Sequence, residues 1–216
     1  MYPRCSLFLA PIAIATPRPV RICVARPAGA RSALTRLPGV TARDATVPDP
    51  VGPALRVLFC GINPGRLSGE LGLHFARAGN RFWKLLHAGG FTDRLLLPAE
   101  QATLPGMGIG ITNLVERTTA AASELTSEEL RAGASALEAK AHDLRPAFVA
   151  VLGLQAYRTA FRRPGAAIGE QPETLGPARL WLLPNPSGLQ AKYQLPEMTA
   201  LFRDLHAAAF GAEFSP

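Results

Sequence analysis

Leu55-Arg56-Val57-Leu58-Phe59-Cys60-Gly61-Ile62-Asn63-Pro64-Gly65 decides how this chain is read. Its first six residues are mainly apolar, with Val and Phe among them, as in a buried strand. Gly61 to Gly65 then break the run into a turn. Far downstream, Leu180-Trp181-Leu182-Leu183 runs into a similar turn, Pro184-Asn185-Pro186-Ser187-Gly188-Leu189. Each turn presents an Asn in a Pro/Gly frame at the C-terminal end of a strand. In open α/β sheets ligands bind at that edge, so the two turns define one candidate crevice.

Between the two turns the punctuation is regular. Asn80 is placed to cap a helix through Phe82, Trp83, Leu85 and Leu86 that stops at Gly89-Gly90. Gly110 to Val115 reads as a short strand entering a polar loop. Thr126-Ser127-Glu128-Glu129 is a capping box for a long helix reaching Leu144 and closed by Pro146. Phe148 to Leu152 is an uninterrupted apolar run, as in a central strand covered on both faces. Gly153 introduces a short helix to about Phe161, Arg179–Leu183 is a further strand, and Pro196 opens a C-terminal helix. Alternating strands and helices predict an α/β fold, a three-layer α/β/α sandwich with a mostly parallel central sheet.

The chain of 216 residues is 48% apolar, enough for one domain with a full core. No apolar run nears the roughly twenty residues of a membrane-spanning helix, so no membrane partner is expected. Cys5, Cys23 and Cys60 lack metal-like spacing and cannot supply the four thiolates of an iron–sulfur cluster. The formal charge of +7 is uneven: residues 1–50 hold seven Arg and two Asp, so the remainder is only mildly basic. High pI is therefore a weak pointer to nucleic acid. Residues 1–50 read as a disordered basic leader, or as the product of an upstream start codon, and residues 51–216 as the functional domain. A transit peptide fits less well, because Pro3, Pro11, Pro17, Pro19 and Pro27 interrupt any amphipathic helix. A basic arm for DNA is the third reading.

Taken alone, Gly61–Gly65 is an ordinary turn. It lacks the Gly-Lys-Ser/Thr of a phosphate-binding loop and the dinucleotide glycine pattern. The order of Gly61-Ile62-Asn63-Pro64-Gly65, His74-Phe75-Ala76, Asn80-Arg81-Phe82-Trp83-Lys84, Gly90-Phe91-Thr92-Asp93 and Asn185-Pro186-Ser187-Gly188-Leu189 is more specific. Together these segments resemble the mismatch-specific uracil/thymine-DNA glycosylase family, on its bacterial double-stranded-uracil branch, over about Pro53 to Phe210.

The resemblance implies a uracil-DNA glycosylase-like fold and a monofunctional base-excision repair enzyme. Such an enzyme hydrolyses the N-glycosidic bond of uracil in duplex DNA, preferentially opposite guanine, with no metal or organic cofactor. It also implies a monomer, a bacterial cytoplasmic setting, and a partner that is double-stranded DNA carrying a G:U mismatch or a damaged base. Such an enzyme must flip the nucleotide from the stack, at a cost of roughly a few kcal/mol. By the same resemblance Asn63 is the catalytic residue, holding the attacking water. Ile62, Ser68, Phe75 and Asn113 belong to the base pocket, with Phe75 as its stacking face. Asn185, Ser187, Gly188, Leu189 and Lys192 contact DNA, with Leu189 as the wedge entering the vacated stack.

Asn is uncharged, so Asn63 is suited to positioning a water and not to taking its proton. The related uracil branch carries Asp in the first turn and His in the second, where this chain has Asn63 and Asn185. Two further departures are Asn113, where the bacterial branch can carry Lys, and the segment 190–193, where an Arg is usual. The four histidines show no ligand or triad spacing and read as structural or surface groups. Relatives tuned to xanthine or ethenocytosine, and a non-catalytic damaged-DNA binding module, remain the alternatives.

Overall fold

The computed structural model describes residues 46–188 and 192–211. Five strands form one sheet in the order β2-β1-β3-β5-β4, with β1 at Val57–Gly61, β2 at Ile109–Asn113, β3 at Phe148–Leu152, β4 at Gly169–Leu175 and β5 at Ala178–Leu183. The first three and β5 pair in parallel, and β4 runs antiparallel along one edge. β1, β2 and β3 are buried at every position, which accounts for their near-continuous apolar sequences.

Alternate residues of each strand feed two cores. On one face Val57, Phe59, Ala150 and Trp181 pack with helices α2 (Phe82–Ala88) and α5 (Leu195–Phe210). On the other, Leu58, Cys60, Val151 and Leu182 pack with α3 (Ser127–Leu144) and α4 (Leu154–Ala160). The three-layer sandwich is therefore present. Phe59 is fully buried and meets Phe82, Phe91 and Phe202 at ring centroid distances of 5.5, 5.2 and 5.8 Å.

Several boundaries match the chemistry that specified them. Thr126 accepts from the Glu129 amide at 3.1 Å while the Glu129 carboxylate accepts from the Thr126 amide at 2.8 Å, so the capping box is formed. The α2 helix differs in detail. It begins at Phe82, and Asn80 makes an Asx turn by accepting from the Phe82 amide at 2.9 Å. Besides 3-10 turns at Pro98–Met107 and Ala122–Glu124, a helix and a strand lie where the sequence predicts neither. A short helix, α1 (Arg66–Leu71), occupies the start of the Gly-rich loop, and β4 is polar and contains Pro172. Proline is tolerated there because an edge strand leaves donors unpaired.

The segment read as leader includes residues 46–50, which are described and lie on the domain. Val47 is buried, the Pro50 carbonyl accepts from the Ile111 amide, and Asp49 pairs with Lys140 at 2.8 Å. Residues 1–45 lie outside the described part, as do Leu189 to Ala191.

Candidate functional site

A cavity of about 420 Å³ opens at the carboxyl ends of β1, β2, β3 and β5. β1 and β3 are neighbours whose onward connections leave toward opposite edges of the sheet, the switch-point geometry that creates a crevice. The cavity is lined by Ile62, Asn63, Ser68, Phe75, Asn113, Asn185 and Ser187, so seven sequence-predicted residues from separate elements converge on it. Gly188 and Lys192 are exposed and do not line it; Leu189 lies outside the described residues.

Parallel pairing continues past the ends of β1 and β2 and fixes the first turn. The amides of Leu114, Val115 and Thr119 donate to the carbonyls of Gly61, Ile62 and Pro64 at 2.8, 2.9 and 3.1 Å. Within this zipper the Asn63 Nδ2 group faces three acceptors: Thr119 Oγ1 at 2.7 Å, the Arg117 carbonyl at 3.0 Å and the Pro64 carbonyl at 3.2 Å. Two of these are carbonyls, which can only accept, so the orientation of the amide is determined. The Thr119 hydroxyl donates onward to the Ala121 carbonyl at 2.9 Å, leaving its lone pair for Asn63. Asn63 Oδ1 remains for a cavity group that donates.

Arg117 holds this loop against α3. Its guanidinium binds both oxygens of Glu129, at 2.7 and 3.1 Å. Those bonds, with the Thr126 amide, pull the Glu129 carboxyl down to about 2. Neither Arg117 nor Thr119 was singled out in the sequence. Their only signal was position, in a polar loop leaving a strand.

Phe75 adopts φ +52°, the left-handed region. For a non-glycine residue such backbone costs about 1–3 kcal/mol and persists only where the surroundings impose it. One face of its ring is stacked on Phe82, with centroids 4.1 Å apart. Ser68, buried on α1, accepts from the Ala76 amide at 3.2 Å, bracing the turn that presents Phe75. Gly61 is required by close approach: a Cβ there would sit 2.6 Å from Asn113 Oδ1 and 3.2 Å from the Phe75 ring.

The second turn is built differently. Asn185 Oδ1 accepts from the Ser187 amide at 3.0 Å, an Asx turn made within three residues. Arg81 then ties the turn to α2: its guanidinium donates to the Ser187 carbonyl at 3.0 Å and to the Tyr193 carbonyl at 2.9 Å, on either side of residues 189–191. Its amide donates to the Pro186 carbonyl at 2.9 Å. A Cβ on Gly188 would lie 2.5 Å from the Gly79 carbonyl oxygen, so a glycine is needed there for internal packing, before any contact with DNA.

Against this geometry the family model of the uracil DNA glycosylase superfamily matches residues 48–206. The chain belongs to that superfamily. Its class of activity is therefore that of a DNA glycosylase, a hydrolase of DNA repair whose partner is DNA. The solution NMR structure of a candidate uracil DNA glycosylase from Methanosarcina acetivorans is similar, with 20% identity, a TM-score of 0.49, and coverage of 74% of this chain and 97% of that one. The family match begins at Pro48, so it takes in the strap of residues 48–50 that packs on the sheet.

Proposed function

We propose that this glycosylase belongs to the mismatch-specific branch and removes uracil from duplex DNA, preferentially opposite guanine, by hydrolysis. The observation that carries the mechanism is the Asn63 amide: its donors are all engaged by the protein, so this cavity-lining residue has Oδ1 left to offer a ligand. A water donating to that oxygen is aligned with its lone pair toward C1′. Bond breaking runs ahead of attack: the C1′–N1 bond opens with its electron pair leaving on the base, C1′ gains oxocarbenium character, and the water oxygen then closes on C1′ and releases its proton to solvent. Positioning and electrostatics carry the step, since a neutral amide takes no proton.

The cavity lining supports the same reading. Among the described residues that line it, none is Asp, Glu or Lys. A carboxylate base and a lysine Schiff base have no candidate at that wall, which favours a monofunctional hydrolase over a lyase. Phe75 provides the stacking face, with Phe82 behind it. Asn113 meets the polar edge of the base, and the Ile62 contribution falls to its amide, because its carbonyl is bonded to Val115. Leu189, at the loop spanned by Arg81, is the proposed wedge, with Lys192 among the phosphate contacts. The enzyme acts as a cytoplasmic monomer without a cofactor.

End-labelled duplexes containing U, T, xanthine or ethenocytosine opposite G, with U opposite A and single-stranded U alongside, test this reading. The expected result is abasic product, fastest from the G:U duplex and lost in Asn63→Ala. Fastest release of xanthine or ethenocytosine would assign the enzyme to those bases. Binding without abasic product from any substrate would make it a damaged-DNA binding module.

A further inference from the structure

At the wall of the cavity a polar chain leads to Asn113, and the members behind that residue are not used by the mechanism. It starts at the strap Val47–Pro50, whose Pro50 carbonyl accepts from Ile111 of β2 at 3.3 Å. Asp49 in the strap accepts from Thr112 Oγ1 at 2.7 Å and from Lys140 Nζ at 2.8 Å. Beside it the Pro48 carbonyl meets His74 Nε2 at 3.2 Å, and His74 Nδ1 meets Asn113 Nδ2 at 3.4 Å. The His74 backbone is pinned as well: its amide donates to Gln101 Oε1 at 2.8 Å, and its carbonyl accepts from Trp83 Nε1 at 3.3 Å.

The polarity of this chain follows from its first member. A carbonyl oxygen only accepts, so Nε2 must carry the proton. Burial outweighs the pull of Asp49, 3.9 Å away, and lowers the affinity of the ring for a second proton, so at neutral pH Nδ1 keeps a free lone pair. Only a donor satisfies that lone pair, so Asn113 must turn Nδ2 to His74. Its Oδ1 then lies over Gly61, on the cavity side, where it takes no hydrogen bond among the described residues.

We propose that His74 is a positioning residue for base recognition: anchored by the Pro48 carbonyl, it fixes the amide of Asn113 so that the carbonyl end faces the cavity and selects a base that donates an N–H there. This deepens the proposed function and rests on it. Uracil offers such a donor at N3, whereas cytosine offers a lone pair at the same atom. The preference reverses with the protonation of His74. As pH falls below the lowered value of the ring, Nδ1 gains a proton and can no longer accept. Asn113 must then turn Oδ1 to His74 and Nδ2 to the cavity. The charged groups facing the ring are Asp49 from the strap and Lys140 from α3, which is itself paired with Asp49 and Glu116. Gln101, Trp83 and Phe75 on the other sides are neutral.

The test compares excision of 5-fluorouracil and 5-fluorocytosine opposite guanine by the full-length protein. The fluorine eases departure of both bases and leaves their N3 difference intact. At neutral pH the wild type should favour 5-fluorouracil by about tenfold or more, the effect of leaving a buried polar group unmatched. The ratio should fall as pH drops through the His74 titration. His74→Phe should give a smaller ratio with no pH dependence. A variant that slows both bases equally, with the ratio kept, overturns the positioning role while leaving glycosylase activity in place. Nitrogen-15 NMR of the imidazole gives a reading that needs no variant: a proton on Nε2 is expected, and a proton on Nδ1 overturns the proposal. Should the wild type excise neither base nor uracil, the proposed function falls and this inference with it. Should His74→Phe fail to fold, the pH profile and tautomer of the wild type still decide.

Discussion

The two turns that face the cavity both present an asparagine after a strand, yet they are held by opposite means. Asn63 is fixed from a distance: its amide is bound by Arg117 and Thr119, which follow β2, and that loop is tied in turn to α3. Asn185 shapes its own turn through a bond two residues ahead, and Arg81 attaches the finished turn to α2. The first arrangement places one atom accurately and leaves it no freedom. The second preserves the shape of a small unit while its attachment is concentrated in one residue, Arg81, through its guanidinium and its amide. Water positioning needs the former; a segment that enters a DNA stack can use the latter.

The largest expected effect tests the first turn. Asn63→Ala should lower single-turnover excision by about 100- to 1,000-fold, the scale of removing one preorganised polar group from a reacting centre. Duplex affinity, read by anisotropy with an uncleavable analogue, should stay near wild type. Equal losses in affinity and rate would mean that Asn63 only shapes the loop. Next, Arg81→Ala should reduce kcat/KM on duplex DNA by about 10- to 100-fold, since two charge-assisted bonds to the second turn are lost. Excision from single strands should change far less, as no stack must be opened. If both substrates suffer alike, Arg81 supports the fold and not the second turn. Thr119→Val keeps the volume but removes the acceptor of Asn63, and an approximately tenfold loss in rate with unchanged KM is expected. A loss confined to KM would place Thr119 outside the water-holding frame.

The difference between the turns also explains what the sequence revealed. Phe148–Leu152 and the Thr126 capping box were legible because the chemistry that specifies them is local: an unbroken apolar run, and four residues that bond one another. The edge strand β4 was not, because its Gly-Glu-Gln-Pro-Glu-Thr-Leu carries no apolar run and is held by pairing to β5. The same divide runs through the site. Asn63, Phe75 and Asn185 sit in recognisable segments. Thr119, Arg81 and His74 gain their roles only when β2, α2 and the strap meet at one end of the sheet. His74 was read as a structural group, and it is buried; its contact with Asn113 depends on a carbonyl 26 residues away.

The smallest predicted effect concerns the support behind the first turn. Glu129→Gln keeps the shape of the side chain but gives up the paired bonds to Arg117. Both partners are half-exposed, so screening limits the loss in excision to about two- to fivefold. The pH dependence supplies the sharper reading. Folding lowers the Glu129 carboxyl from 4.5 to about 2. A depressed carboxyl stabilises the folded state fully above its unfolded value and loses that contribution as pH falls through the folded one. Wild type should therefore exceed Glu129→Gln by a constant margin above pH 4.5, and the two should converge as the pH approaches about 2 in urea titrations. A margin that persists to the acid end would show that Gln fails by misfit and not by lost charge. The first turn would then depend on packing beneath Arg117, and its rigidity would be as local as that of the second.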